Sequence, residues 1–122
     1  MPKFLKDINL KGKVALVTGA TKGIGRSTVI AMHQVGASIV AIGRNKNELN
    51  SLKKKLNNRI QCFECDVNNY DKISNIINKL KKVDILVNNA GTNLPEPFLK
   101  VKKSSLEKLL EVNTKAAFNI AK

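Results

Sequence analysis

The chain has 122 residues, 43% of them hydrophobic, and a formal net charge of +13 at pH 7, with four Phe, one Tyr and no Trp. That length suffices for one domain with a core, which must be aliphatic because aromatic residues are scarce. No apolar run approaches the ~20 residues a membrane span requires, and the first eleven residues carry neither a continuous apolar segment nor a small-residue cleavage site, so a cytoplasmic protein without a membrane partner is expected.

Short apolar runs alternate with helical patterns along the chain. Residues 13–18 (KVALVT) form a continuous apolar run, the mark of a strand buried on both faces. From Gly23 to about Val35, Ile24, Thr28, Ala31 and Val35 recur at helical spacing, and Gly36 supplies the stop. A second buried strand is predicted over 38–42. A helix over 46–56 follows, with Leu49, Leu52 and Leu56 on one face and Asn45 as its cap. Residues 60–65 predict a third strand, 71–80 a helix through Ile73, Ile76, Ile77 and Leu80, and 83–87 a fourth strand. After a loop with Gly91, Pro95 and Pro97, the last helix is predicted over 104–122. A capping box, Ser104-Ser105-Leu106-Glu107, would open it, and Leu106, Leu110, Asn113 and Ala117 would face inward.

This β-α-β-α-β-α-β-α order, without repeat, low-complexity tract or linker, predicts an α/β fold: a parallel sheet with helices on both faces. The expected strand order is 3-2-1-4, the N-terminal half of a doubly wound Rossmann-type sheet, with residues 1–122 as one nucleotide-binding domain. The fourth strand would be a free edge, which a complete soluble protein avoids.

The positive charge resides mostly in scattered lysines, such as Lys53, Lys54, Lys55, Lys81, Lys82, Lys102 and Lys103. They form no arginine-rich arm and do not alternate with stacking aromatics, so a solvated surface is expected and no nucleic-acid partner. The same field favours an anionic cofactor. Cys62 and Cys65 with a single His cannot complete a four-ligand zinc site, so no metal is expected. Three apart on a strand, the two thiols would face opposite sides.

The first strand runs into Thr18-Gly19-Ala20-Thr21-Lys22-Gly23-Ile24-Gly25, which opens the first helix. A tight strand-to-helix turn needs residues free of Cβ clashes. A pyrophosphate needs close backbone approach, exposed N–H groups and the positive end of a helix. Gly19, Thr21, Lys22, Gly23, Ile24 and Gly25 are therefore candidate cofactor-binding residues. A turn that is merely tight is the plainer alternative, and the strand before it and helix after it favour the anion site. The second strand ends Ile42-Gly43-Arg44-Asn45-Lys46. A site for NAD usually places an acid here to accept the ribose 2′-hydroxyl. None is present. Arg44, beside Asn45, can instead stack on adenine and pair with a 2′-phosphate, and Lys22 can reach the same group. Two solvated surface cations are the alternative, and the missing acid favours NADP over NAD.

These residues, with later segments, resemble the short-chain dehydrogenase/reductase family. The resemblance lies in the TGxxxGIG turn (Thr18 to Gly25), Asp66-Val67 after the third strand, Asn88-Asn89-Ala90-Gly91 after the fourth, and Asn113 within Glu111-Val112-Asn113-Thr114. Within the family the chain is most similar to the L-xylulose reductase and carbonyl reductase group, through TGATKGIGR, the stretch through Gly36 and Arg44, and the compact interval from Asp66 to Val83-Asp84-Ile85-Leu86. The 3-oxoacyl-carrier-protein reductases share the broader motifs. The resemblance implies that Asp66 accepts from the adenine amino group, that Val67 adds a backbone contact, and that Asn89, Ala90 and Gly91 line the cofactor ribose. It places Asn113 in the catalytic set, its main chain holding a water in a proton relay. From the residues alone, an Asn on an apolar helix face needs partners, and a buried structural Asn fits as well.

The family's reaction is hydride transfer between a nicotinamide and a small carbonyl or alcohol, with a Tyr-x-x-x-Lys pair moving the proton. The single tyrosine here is Tyr70, and Ser74 stands four residues beyond it. The chain is therefore expected to be the cofactor-binding half of an NADP-dependent oxidoreductase, inactive alone, from a parent that the resemblance implies is a homotetramer. The loop over 92–103 would border the substrate. The alternative from another class is a non-catalytic nucleotide-binding module.

Overall fold

In the computed structural model, which describes residues 2–122, Val, Ile and Ala predominate in four segments that pair side by side. They are β1 (Val14–Thr18), β2 (Ser38–Gly43), β3 (Ile60–Glu64) and β4 (Ile85–Val87), all parallel and in the order β3-β2-β1-β4. Met1, the first residue of the predicted domain, lies outside the described residues. Between the strands run α1 (Gly23–Gln34), α2 (Lys46–Leu56) and α3 (Tyr70–Asn78), and after β4 come α4 (Lys103–Leu110) and α5 (Ala116–Ala121). Gly36, at φ +107°, turns the chain out of α1 in a conformation that side chains rarely adopt.

Alternation along the strands divides the core between the two faces. Ala15, Val17, Ile39 and Ala41 pack with Val29 of α1 and Leu49 and Leu52 of α2. Leu16, Val40 and Ile42 pack with Ile73 and Ile76 of α3 and Ile120 of α5. Cys62 lies against the first cluster and Cys65 belongs to the second, the opposite-facing arrangement that strand spacing predicts. β4 pairs only with β1, so its outer edge is open among the described residues, and its three side chains are half-buried.

The last third departs from expectation in three ways. The predicted continuous helix is interrupted by a wide π turn at Glu111–Lys115, where the Ala116 N–H donates to the Glu111 carbonyl five residues back. The capping box does not form, because α4 begins at Lys103, one residue before Ser104, without a side-chain cap. Glu96 of the preceding loop takes over: its carboxylate accepts the Lys102 N–H at 3.1 Å and the Ser105 hydroxyl at 2.9 Å, a favourable place for negative charge. Finally, the inward stripe is Leu109, Val112, Ala116 and Ile120, while Leu106 and Leu110 are 49% and 47% exposed and Asn113 is exposed. A period of 3.6 permits either stripe in this sequence, and the packing of α5 against α3 selects the second. β4 is also shorter than 83–87: Val83 is exposed, and the Asp84 carboxylate accepts the Val14 N–H at 2.7 Å at the strand's entry.

Candidate functional site

A parallel sheet delivers the carboxyl ends of its strands to one edge, where the departing loops meet. That edge carries a cleft of about 780 Å3. Its walls are the glycine turn, residues 42–48 at the β2-to-α2 passage, 65–68 after β3, 89–92 after β4, and Lys108 and Val112. The cleft thus collects Gly19, Thr21, Lys22, Arg44, Asn45, Asp66, Val67, Asn89, Ala90 and Gly91, while Gly23, Ile24, Gly25 and Asn113 do not line it.

The glycines of the turn serve different needs. Gly19 and Gly23 lie at φ +61° and +57°, where a side chain is strained. A Cβ on Gly23 would meet no protein atom within 4 Å, so the space above it is open to an incoming group. Gly25 is required by packing instead, because a Cβ there would run into the Gly19 carbonyl oxygen. The turn is locked from below by Thr18, whose buried hydroxyl accepts the N–H groups of Asn89 at 3.1 Å and Ala90 at 3.0 Å. The Asn89 amide closes the lock by donating to the Gly19 carbonyl at 3.1 Å. Thr18 was not among the candidate residues; its signal in the sequence is a polar residue at the end of an otherwise apolar buried strand.

Helix starts sharpen the electrostatics. Asn45 caps α2 by accepting the Glu48 N–H at 3.0 Å, and Asn69 caps α3 by accepting the Lys72 N–H at 3.2 Å. At the same position α1 has Lys22, with no side-chain cap and no acid in its first turn. The opening N–H groups of α1 therefore lack the side-chain acceptor the other two helices have, which suits an external anion. Lys22, Arg44, Lys46 and Lys108 line the cleft against the carboxylates of Glu48 and Asp66. Among the described residues neither Lys22 nor Arg44 forms an ion pair.

On the other wall, one Asp66 oxygen accepts the Asn68 N–H at 2.9 Å, fixing the carboxylate at the cleft. Cys65, which the sequence reading gave no role, also lines it; burial pushes its thiol up more than nearby Lys72 lowers it, so it stays protonated at neutral pH. Asn113 sits within the π turn, a rare device that recurs at functional sites. Its side chain docks on one residue, accepting the Thr92 N–H at 2.8 Å and donating to the Thr92 carbonyl at 2.9 Å. The amide thereby fixes the segment 91–92, and Lys108 and Val112 on the same stretch of helix reach the cleft itself.

Comparison with known proteins agrees with this geometry. The family described as short chain dehydrogenase matches residues 13–122. L-xylulose reductase of Homo sapiens is 37% identical over 115 residues, 94% of this chain and 47% of that protein. A 3-oxoacyl-acyl-carrier-protein reductase of Rickettsia prowazekii is 34% identical over 111 residues, 91% of this chain and 46% of that protein. Among solved structures, the closed form of a serine dehydrogenase complexed with NADP+ superposes with a TM-score of 0.82 at 33% identity, covering 88% of this chain and 46% of that one. Serine dehydrogenase from Escherichia coli gives the same TM-score of 0.82 and covers 52% of its own chain. The chain spans about half the length of the curated relatives it matches.

Proposed function

The chain belongs to the short-chain dehydrogenase family, and on that premise we propose that its cleft is the NADP(H) site of a carbonyl reductase. The observation that carries the NADP assignment is the pair of cations, Lys22 on the glycine turn and Arg44 at the end of β2, lining one cleft with no acid directly after β2. The NADP+ complex among the structural neighbours supports the same reading. Glu48 does not oppose it, since it lies in the first turn of α2, where it complements the helix's positive end.

In this proposal the glycine turn, through Gly19 and Thr21 beside the uncapped start of α1, receives the pyrophosphate, Arg44 and Lys22 hold the 2′-phosphate, and Asp66 accepts from the adenine amino group. Bound there, the cofactor would supply the hydride exchanged with a small carbonyl or alcohol. Asn113 holds the loop beside the nicotinamide end through Thr92. No Tyr-x-x-x-Lys pair lies within these residues, so the 122-residue chain is expected to bind cofactor without turnover. Homotetramer formation and the substrate would belong to the parent protein.

The chain has no Trp, so NADPH fluorescence can be followed without tryptophan background, alongside calorimetry. NADPH is expected to bind at least about ten-fold more tightly than NADH, the scale of one charge-assisted contact. Arg44→Ser is expected to narrow that difference, with Lys22 left as the one cation for the 2′-phosphate, and to weaken NADH binding less than NADPH binding. Equal affinity of the unaltered chain for both cofactors would overturn the NADP assignment, and no binding of either would overturn the cofactor site itself.

A further inference from the structure

Arg26 lies in the first turn of α1, where a cation meets the positive end of the helix dipole. Such a placement needs compensating partners, and the guanidinium has three. It donates to the Thr21 carbonyl of the glycine turn at 3.3 Å, to the Glu48 carbonyl of α2 at 3.5 Å and to the Ser51 hydroxyl of α2 at 3.2 Å. Among the described residues, every side-chain hydrogen bond from the glycine turn or α1 to α2 comes from this one group.

These contacts join two walls of the cleft. Thr21 and Lys22 belong to the phosphate turn, and Arg44 to Glu48 form the wall that would meet the 2′-phosphate through Arg44. The walls already meet at the end of β2, where the Ala20 N–H donates to the Ile42 carbonyl at 3.1 Å and a Cβ on Gly43 would collide with the Thr21 methyl. Arg26 adds a further fixed point, on α2 itself. It also orients the turn: a trans peptide is planar, so with the Thr21 carbonyl held toward Arg26, the Lys22 N–H points the opposite way. Arginine suits this task because its planar fork serves several acceptors in fixed directions, which a lysine ammonium does not.

We propose that Arg26 is a positioning residue that sets the spacing between the phosphate turn and the α2 wall, and through it the recognition of a phosphate spanning Lys22 and Arg44. This rests on the NADP reading of the cleft. Arg26 itself has no part in ligand contact in this account. Its loss therefore falls most heavily on a ligand that bridges both walls and least on one that uses the turn alone.

The test is calorimetric titration of the chain and its Arg26→Lys and Arg26→Gln variants with adenosine 2′,5′-bisphosphate, which bridges the walls, and with 5′-AMP, which lacks the 2′-phosphate. Thermal midpoints are recorded alongside. Both variants are expected to weaken bisphosphate binding about ten-fold and 5′-AMP binding no more than about two-fold, with Arg26→Lys keeping the parent midpoint. Full recovery by Arg26→Lys would show that charge alone matters and would overturn the proposal. Equal losses for both ligands would overturn it as well. If the Arg26 variants do not fold, Ser51→Ala removes a single partner of the guanidinium and should show the same selective loss at about three-fold; its absence overturns the proposal. Failure of the unaltered chain to bind either nucleotide is the separate result that removes the cofactor reading.

Discussion

From Ala15 to Thr18 in β1 and from Ile39 to Gly43 in β2 every residue is buried, whereas β4, the other neighbour of β1, is half-buried throughout and α4 buries none of its residues. The β2 side is covered by α1 and α2, whose Val29, Leu49 and Leu52 are at most 3% exposed. On the β4 side Phe98, Leu99 and Phe118 stand 89%, 93% and 68% exposed. The exposed side carries residues at least as apolar as the covered side, so hydrophobicity alone does not separate them. Mutual cover does. Stability is concentrated where side chains enclose one another, and the cleft draws walls from both regions. The walls carrying Lys22 and Arg44 belong to the well-covered side, and the wall at 89–92 to the other.

That contrast can be broken most directly by truncating one leucine on each side. Leu52→Ala, at a fully buried site, is expected to cost about 2–5 kcal/mol in chemical unfolding. Leu106→Ala, half-exposed on α4, should stay within about 0.5 kcal/mol. Equal losses would show that the β4 side is as tightly enclosed as the other. Next in size is the seam between the regions. Thr18→Val keeps the shape but orphans the Ala90 N–H and leaves the Asn89 N–H only the Val87 carbonyl, at a cost of about 1–3 kcal/mol. Hydrogen exchange should then speed up at those two amides while the amides of β2 keep their protection; uniform acceleration would mean that the two sides unfold as one unit. The smallest effect is at the entry to β4. The Val14 N–H, followed by Lys82, holds the Asp84 carboxyl below the usual carboxylate range. A lowered folded-state value stabilises above the unfolded value, about pH 4, and that contribution is lost as pH falls through the folded value. Asp84→Asn should therefore lower the thermal midpoint at neutral pH, and the gap should close at more acid pH. A gap constant across that range would place Asp84's role in packing rather than charge.

Much of the architecture was legible because it rests on local pattern. Continuous apolar runs gave the strands, the glycines at 19, 23 and 36 marked the turns, and Asn45 was recognisable as a cap. What was not legible depends on partners distant in sequence. The hydroxyl of Ser105 and the carboxylate of Glu96 replace the predicted capping box, and no local rule announces a helix start held by the preceding loop. The choice between the Leu106 and Leu109 stripes is made by α3, not by periodicity. The site residues separate in the same way. Lys22 and Arg44 could be placed at the cleft from position after a strand, and Asp66 from the family resemblance. Thr18 acquires its role only when residues 71 and 72 positions later come to it.

That separation has a consequence for the order of events at the ribosome. The glycine turn emerges early, but the Asn89 and Ala90 amides that close on Thr18 follow about 70 residues later. At ~5–20 residues per second, the delay is on the order of ten seconds. During that interval the nascent chain has the turn's sequence without its clasp. The finished turn must wait for β4 to arrive, so its geometry is completed only after synthesis has passed the fourth strand.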